Sequence, residues 1–248
     1  MKKIFKTAAM LIVSGIAMTA CCSNSSSENK SCCDAADSSK CCAAEAPATY
    51  EIANSTADSI ALLPPSNLQG ATLSDALKNR RTVRSFDPNK QISDQQVSDL
   101  LWCALGKNRE DGKRTAPTAR NAQEIELYLY TKSAIYHYQA ASHSLKLVKA
   151  GNFVEKAGKG GFYLVAPMAL TIVADFDKMA DFDEEGKQFY SATDAGFVSQ
   201  NIYLFASAEG LATVTCGSID RPAILELFGL TNAKAILSHP IGYEMVEE

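Results

Sequence analysis

The chain has no apolar run long enough to cross a bilayer. Its N-terminal run, Thr7 to Ala20, reaches about 21 Å as a helix at ~1.5 Å per residue, against ~30 Å of hydrocarbon. Histidine is scarce: His137, His143 and His239 are the only ones. They lack metal-ligand spacing and no nucleophile motif accompanies them, so they read as structural or surface residues. Cysteine is not scarce, but no C-x-x-C pair occurs. Net positive charge is absent as well. A formal charge of −4 argues against sequence-independent nucleic-acid binding, which basic surface drives. The acidic stretches Asp175-Phe176-Asp177 and Asp181 to Glu185 lack the twelve-residue calcium loop with its central glycine, and read as solvated loop. Gly158-Lys159-Gly160-Gly161 lacks the rest of a phosphate loop and reads as a flexible connection.

What is present begins with an address. Lys2, Lys3 and Lys6 precede the apolar run, and Met18-Thr19-Ala20-Cys21 follows it, resembling a bacterial lipobox. Residues 1–20 are therefore expected to be a lipoprotein signal, with Cys21 diacylated and the protein lipid-anchored in the cell envelope. A soluble secreted protein cut elsewhere is the alternative. Losing the three lysines takes the net charge from −4 to −7. From 21 to 66 the composition is rich in Ser, Ala and Asn with few large apolar residues, too few to offset ordering entropy, which predicts a flexible tether. It holds the pairs Cys21-Cys22, Cys32-Cys33 and Cys41-Cys42. In an oxidising compartment, inter-chain or shuffling disulfides are expected there rather than a metal site.

Residues 67–248 suit one domain with a sizeable core. Leu73, Ala76 and Leu77 behind Thr72 predict a short helix, and Ser93 with Gln96 three residues on predicts a capped helix to Ala104. Asn108 to Arg114 reads as a loop or tight turn. Strands are predicted at Ile125–Thr131, Ala134–Tyr138, Met168–Ala174, Leu211–Cys216 and Ala233–Ile241. A long helix rich in small residues is predicted from Lys187 to Glu209, and another from Arg221 to Phe228 with Pro222 in its first turn. The pattern is α+β, with helices flanking a mixed or antiparallel sheet.

The run Arg80-Arg81-Thr82-Val83-Arg84-Ser85-Phe86 follows the first helix directly. Arginine's planar fork matches phosphate oxygens bidentately, and a nearby hydroxyl adds a neutral donor to the same anion. A solvated basic helix end is the plainer alternative. Two further motifs accompany it: Arg114-Thr115-Ala116-Pro117-Thr118-Ala119-Arg120-Asn121-Ala122-Gln123, and Asp194 to Asn201 running into Glu209-Gly210-Leu211-Ala212-Thr213-Val214. In order and spacing the three resemble the nitroreductase family of FMN enzymes, and within it the branch that includes azoline oxidases of peptide biosynthesis.

That resemblance implies a homodimer with FMN as cofactor. Arg80, Arg81, Thr82 and Arg84 match the segment that grips the phosphate and pyrimidine edge of the flavin. Pro117, Thr118 and Ala119 match a loop that the partner subunit lays against the isoalloxazine, with Asn121 and Gln123 as polar positions of the same loop. Thr215 to Ser218, and so Cys216, Gly217 and Ser218, match the strand end beside flavin N5, where a glycine lets the backbone come close. Thr118 stands where serine is usual. Many relatives continue past the last strand with basic residues, whereas this chain runs to Glu247-Glu248. Phosphate grip is then expected from the Arg80 region, helped by Lys156 or Lys159. Cys216 is either a redox thiol or a small apolar filler. The implied function is a lipid-anchored, FMN-dependent oxidoreductase passing two electrons between a reduced donor and a small organic acceptor by a ping-pong route, with no dedicated acid or base. NAD(P)H is scarce outside the cytoplasm, which leaves thiols or a membrane partner open as donors. The alternative is a non-enzymatic thiol- or metal-handling lipoprotein on a degenerate flavin fold.

Overall fold

Local capping sets the two N-terminal helices. Thr72 accepts the Asp75 amide at the start of α1 (Leu73–Asn79), and Ser93 and Gln96 form a reciprocal capping box at the start of α2 (Asp94–Leu105). The computed structural model describes residues 52–66 and 71–246. The predicted signal, Cys21 and the three cysteine pairs lie outside the described residues.

Seven strands form one antiparallel sheet: β1 (Ser59–Ala61), β2 (Ile125–Tyr130), β3 (Ala134–Gln139), β4 (Ser144–Ala150), β5 (Met168–Asp175), β6 (Ala212–Thr213) and β7 (Ala233–Gly242), in the order β1-β4-β3-β2-β5-β7-β6. The remaining helices are α3 (Glu184–Ala208) and α4 (Arg221–Phe228). Side chains alternate across a strand, so β2 feeds two cores. Leu127 and Leu129 pack with Leu100 and Leu101 of α2 and with Val198 and Ile202 of α3. Tyr128 and Tyr130 turn to the opposite core with Ile224 and Phe228 of α4. Helices on both faces explain why β2 and β5 are apolar along almost their whole length. The α+β expectation holds, and the sheet is antiparallel rather than mixed.

Three expectations need correction. The predicted tether is too long at its end, because Ile52, Ile60 and Leu62 are buried and β1 pairs with β4, Ile60 opposite Leu145. A few well-placed apolar residues decide this, although the average composition of 21–66 hides them. The acidic stretch at 181–185 is not all loop: Asp183 caps α3 by accepting the Gly186 amide at 2.7 Å, and Glu184 and Glu185 sit in its first turn, where negative charge complements the helix dipole. Finally, the connection from Gly158 to Gly161 is packed at Gly158 and Gly160 and open at Gly161. A Cβ at Gly158 would lie 2.2 Å from the Tyr163 ring, and the Lys159 amide donates to the Ser218 carbonyl at 3.2 Å. Strand β4 was not predicted, though Leu145, Lys146 and Leu147 alternate as an edge-side strand does.

All three histidines are hydrogen-bonded within the domain. His143 meets Ser98 and Tyr138, His137 meets Glu126 and Gln139, and His239, in β7, is wholly buried and meets Ser199 and Thr213. Among the described residues no group of three or more His, Cys, Asp or Glu side chains is placed to hold a metal ion, and no helix is long and apolar enough to cross a membrane.

Candidate functional site

The run 80–86 leaves α1 as extended chain and is stitched to β6 and the chain's end. Val83 donates to the Thr213 carbonyl at 3.0 Å and Asp87 to the Tyr243 carbonyl at 2.9 Å. Extended backbone sends alternate side chains to opposite sides, and this sorts the arginines. Arg80 lies over the Tyr203 ring, 5.0 Å from its centroid, a cation–π contact. Thr82 reaches the hydroxyl of the same Tyr203 at 3.0 Å, and Arg84 is close enough to Cys216 for its charge to act on the thiol. Arg81 points the other way and pairs with Glu244. Together Arg81, Val83, Tyr203, Thr213 and Glu244 line a small cavity of about 100 Å³. Among the described residues, Arg80 and Arg84 have no carboxylate partner, so theirs are the charges of this run open to an anion.

Tyr203 joins this run to the predicted 215–218 strand end. Its hydroxyl accepts the Thr215 amide at 2.9 Å, and its ring stands edge-on to His239 with centroids 5.5 Å apart. His239 in turn takes Ser199 at 2.9 Å and Thr215 at 3.2 Å on Nε2, and Thr213 at 3.2 Å on Nδ1. Burial pulls its pKa down to about 3, so it is a neutral hub. Sequence reading missed Tyr203 as a site residue and gave His239 only as structural or surface, of which structural is right. Their signal was weak: a tyrosine one turn after Ser199 on a small-residue helix, and a histidine in an apolar strand.

Beyond Thr215 the chain makes one more sheet contact, with Cys216 and Ser238 exchanging amide hydrogen bonds at 2.8 and 2.9 Å. The Cys216 amide is thus occupied. The next two residues, Gly217 and Ser218, are exposed, and theirs are the amides a ligand can reach. A Cβ at Gly217 would meet only Leu237, at 4.0 Å. Packing within the chain therefore does not require glycine there, and the close approach of a ligand is a reason that remains. The Cys216 thiol is pushed up by burial, with Tyr163 and Arg84 pulling it partly back. It packs with the α4-side core, which favours the filler reading over a reactive thiolate.

The predicted 117–123 loop is elsewhere. The loop carrying Pro117, Thr118, Ala119, Asn121 and Gln123 is fastened to α3 by the Ala119 amide, which donates to Asp194 Oδ2 at 2.8 Å. Within the loop, the Gln123 amide donates to Thr118 Oγ1 at 3.0 Å and the Gln123 side chain to the Gly112 carbonyl at 3.2 Å. Asp194 and Tyr203 are nine residues apart on one helix, about 13 Å at ~1.5 Å per residue. One chain therefore holds the two halves of the predicted site at separate places. Lys156 and Lys159 line a cavity of about 550 Å³ with Lys149, Phe153 and Asp220; no arginine of 80–84 lines it, although the Lys159 backbone is tied to Ser218.

The profile of the nitroreductase family matches residues 77–243, a span that takes in all three segments. The chain belongs to the nitroreductase family. Among relatives, a Methanocaldococcus jannaschii protein named as a nitroreductase is 26% identical over 186 residues, covering 71% of this chain and 93% of that one. A solved protein from Ralstonia eutropha, described as a nitroreductase, is 30% identical with a TM-score of 0.73, covering 77% of this chain and 91% of that one. A chain in the Escherichia coli microcin synthetase complex, at 18% identity, TM-score 0.58 and coverage of 76% and 79%, shares the fold. Family membership makes this protein an oxidoreductase of small molecules in a family of typically flavin-containing, commonly dimeric proteins.

Proposed function

We propose that this nitroreductase-family protein is an FMN-dependent oxidoreductase whose complete site forms between two copies of the chain. The observation that carries the reading is the cluster around Tyr203. It joins Arg80 and Thr82 to Tyr203 and Tyr203 to Thr215, two residues before the exposed Gly217 and Ser218, with the Arg84 charge near Cys216. This donor set fits a phosphorylated ring with a polar edge. FMN, when bound, supplies two-electron hydride chemistry at its N5. The chain's residues bind and orient: Arg80 and Arg84 hold the phosphate, Tyr203 keeps the 80–86 run and Thr215 in register, and the Gly217 and Ser218 amides face the ring. The proposed ping-pong exchange with a reduced donor and a small organic acceptor needs no side-chain acid or base.

A second copy is supported by the separation of the two half-sites along α3 and by exposed apolar surface. Phe189 and Phe197 of α3 are 63% and 44% exposed, and a cleft of about 380 Å³ nearby is lined by Leu73, Trp102 and Leu204. Apolar surface of this kind is commonly covered by a partner. Sedimentation of FMN-loaded protein at micromolar concentration is expected to show a yellow dimer with two flavins. A colourless protein that ignores added FMN overturns the reading and favours the thiol-handling alternative; a purely monomeric species that binds FMN removes the two-chain site.

Anchoring in the cell envelope through a lipid on Cys21 belongs to the same proposal, motivated by Lys2, Lys3, Lys6 and the small residues before the thiol. Cys21→Ser is expected to release the protein from the membrane fraction or to block its processing. A variant that fractionates and migrates like the wild type removes the lipid anchor.

A further inference from the structure

Glu124 lies between the 114–123 loop and β2, with no exposed surface. Neither of its carboxyl oxygens has a partner of good hydrogen-bond geometry. An ionised carboxylate in such a place is strongly disfavoured. The group facing it from α3 is another acid, Asp194, 3% exposed. Arg114 is the nearby cation, and its guanidinium donates to the Ile125 carbonyl at 2.9 Å. From β5, Asp175 offers only its amide, 2.9 Å from the Glu124 carbonyl. Lys178 is engaged by Glu126 and by the Gln123 carbonyl. Burial, and after it the charge of Asp194, push the Glu124 carboxyl up to about 7, while its own amide and Arg114 pull the other way. An ionised Glu124 would face a second buried carboxyl out of water, so burial and like charge favour its keeping a proton.

Asp194 also holds the loop. Its Oδ2 accepts the Ala119 amide at 2.8 Å, and just beyond that contact Arg120, Asn121 and Gln123 carry positive φ angles of 52°, 56° and 52°. Non-glycine residues hold that conformation only where their surroundings impose it.

We propose that Glu124 and Asp194 form a proton-sharing carboxyl pair that positions the Pro117–Gln123 loop. With the proton present, Glu124 donates to Asp194 and keeps it in place under Ala119. Once the proton leaves to solvent, two like charges face each other, Asp194 shifts, and the loop detaches from α3. The sign follows from a carboxyl whose folded value is raised: attachment is full at low pH and is lost as pH rises through about 7. Glu124 and Asp194 are positioning residues. Their bearing on cofactor binding rests on the two-chain flavin site proposed above, whereas the tie itself can be measured without flavin.

Hydrogen exchange of the loop amides in full-length, flavin-free protein provides the test. Protection factors, corrected for the intrinsic pH dependence of exchange, are compared at pH 6 and pH 8. One pH unit past the midpoint is a tenfold change in population, so wild-type protection across residues 118–123 is expected to fall about tenfold. Glu124→Gln keeps the shape, carries no charge and donates an N–H to Asp194; its protection is expected to be equal at both pH values. Should that variant not fold, Asp194→Asn removes the other charge, keeps an acceptor for Ala119, and is expected to flatten the profile likewise. Wild-type protection that ignores pH, or a pH dependence that survives in both variants, overturns the proposal. In a parallel titration, FMN affinity is expected to fall over the same interval in the wild type and not in Glu124→Gln. Loop protection that follows pH while FMN affinity does not supports the acid pair and refutes the loop's place in the flavin site.

Discussion

Arg80→Ala and Arg84→Ala are each expected to weaken FMN binding by roughly ten- to over a hundredfold, because hydrogen bonds to a charged partner are worth ~1.5–3 kcal/mol each. These two guanidinium groups have no carboxylate among the described residues, whereas Arg81 is already paired with Glu244. Arg81→Ala is accordingly expected to do less. Arg80 is also pre-oriented by the Tyr203 ring, so less rotamer freedom is lost when it meets an anion. Riboflavin lacks the phosphate, and its weaker affinity is expected to stay nearly the same in both variants if the contact is to phosphate. Flavin-fluorescence titration of both ligands against the wild type and the three variants separates these effects. Unchanged FMN affinity in Arg80→Ala and Arg84→Ala would place the phosphate elsewhere, with the Lys156 and Lys159 cavity next in line.

Truncating His239 to alanine is expected to cost about 3–5 kcal/mol of stability. The change opens a cavity in a fully buried place and strips hydrogen-bond partners from Ser199, Thr213 and Thr215. At ~2–4 °C per kcal/mol for a domain of this size, the thermal midpoint falls by about 6–20 °C. The wild type has a pH signature from the same residue. Burial lowers its pKa from 6.5 to about 3, so the stabilisation is present above 6.5 and is lost as pH falls from there towards 3, at ~1.4 kcal/mol per pH unit. Glu124 works in the opposite direction, losing stability as pH rises from its ordinary 4.5 through about 7. Between about 4.5 and 6.5 the two slopes offset each other, and each single variant should unmask the other. Urea melts of His239→Gln at pH 4 to 7 check this. The variant is expected to gain stability as pH falls from 7 towards 4.5 where the wild type stays level; a variant profile parallel to that of the wild type would show that the slope comes from other groups.

Much of the fold could be read from the chain because its causes are local. The capping residues Thr72 and Ser93, the apolar run of β5, and Pro222 inside α4 each act within a few residues. The run 80–86, the 114–123 loop and the 215–218 segment also stood out, since unusual residue types cluster in each. Their partners could not be read. Which arginine remains unpaired depends on Glu244, more than 160 residues away, and which amide stays free depends on Ser238 closing over Cys216. The length of the tether turned on three buried apolar side chains and on β1 pairing with β4, a strand that had itself gone unpredicted. Glu124 is the sharpest case. In sequence it is one more polar residue before a strand, and only the approach of α3 places a second carboxyl against it out of water. Propensity and periodicity are properties of neighbours along the chain, whereas desolvation and charge pairing arise between segments that meet only once the sheet and helices have packed.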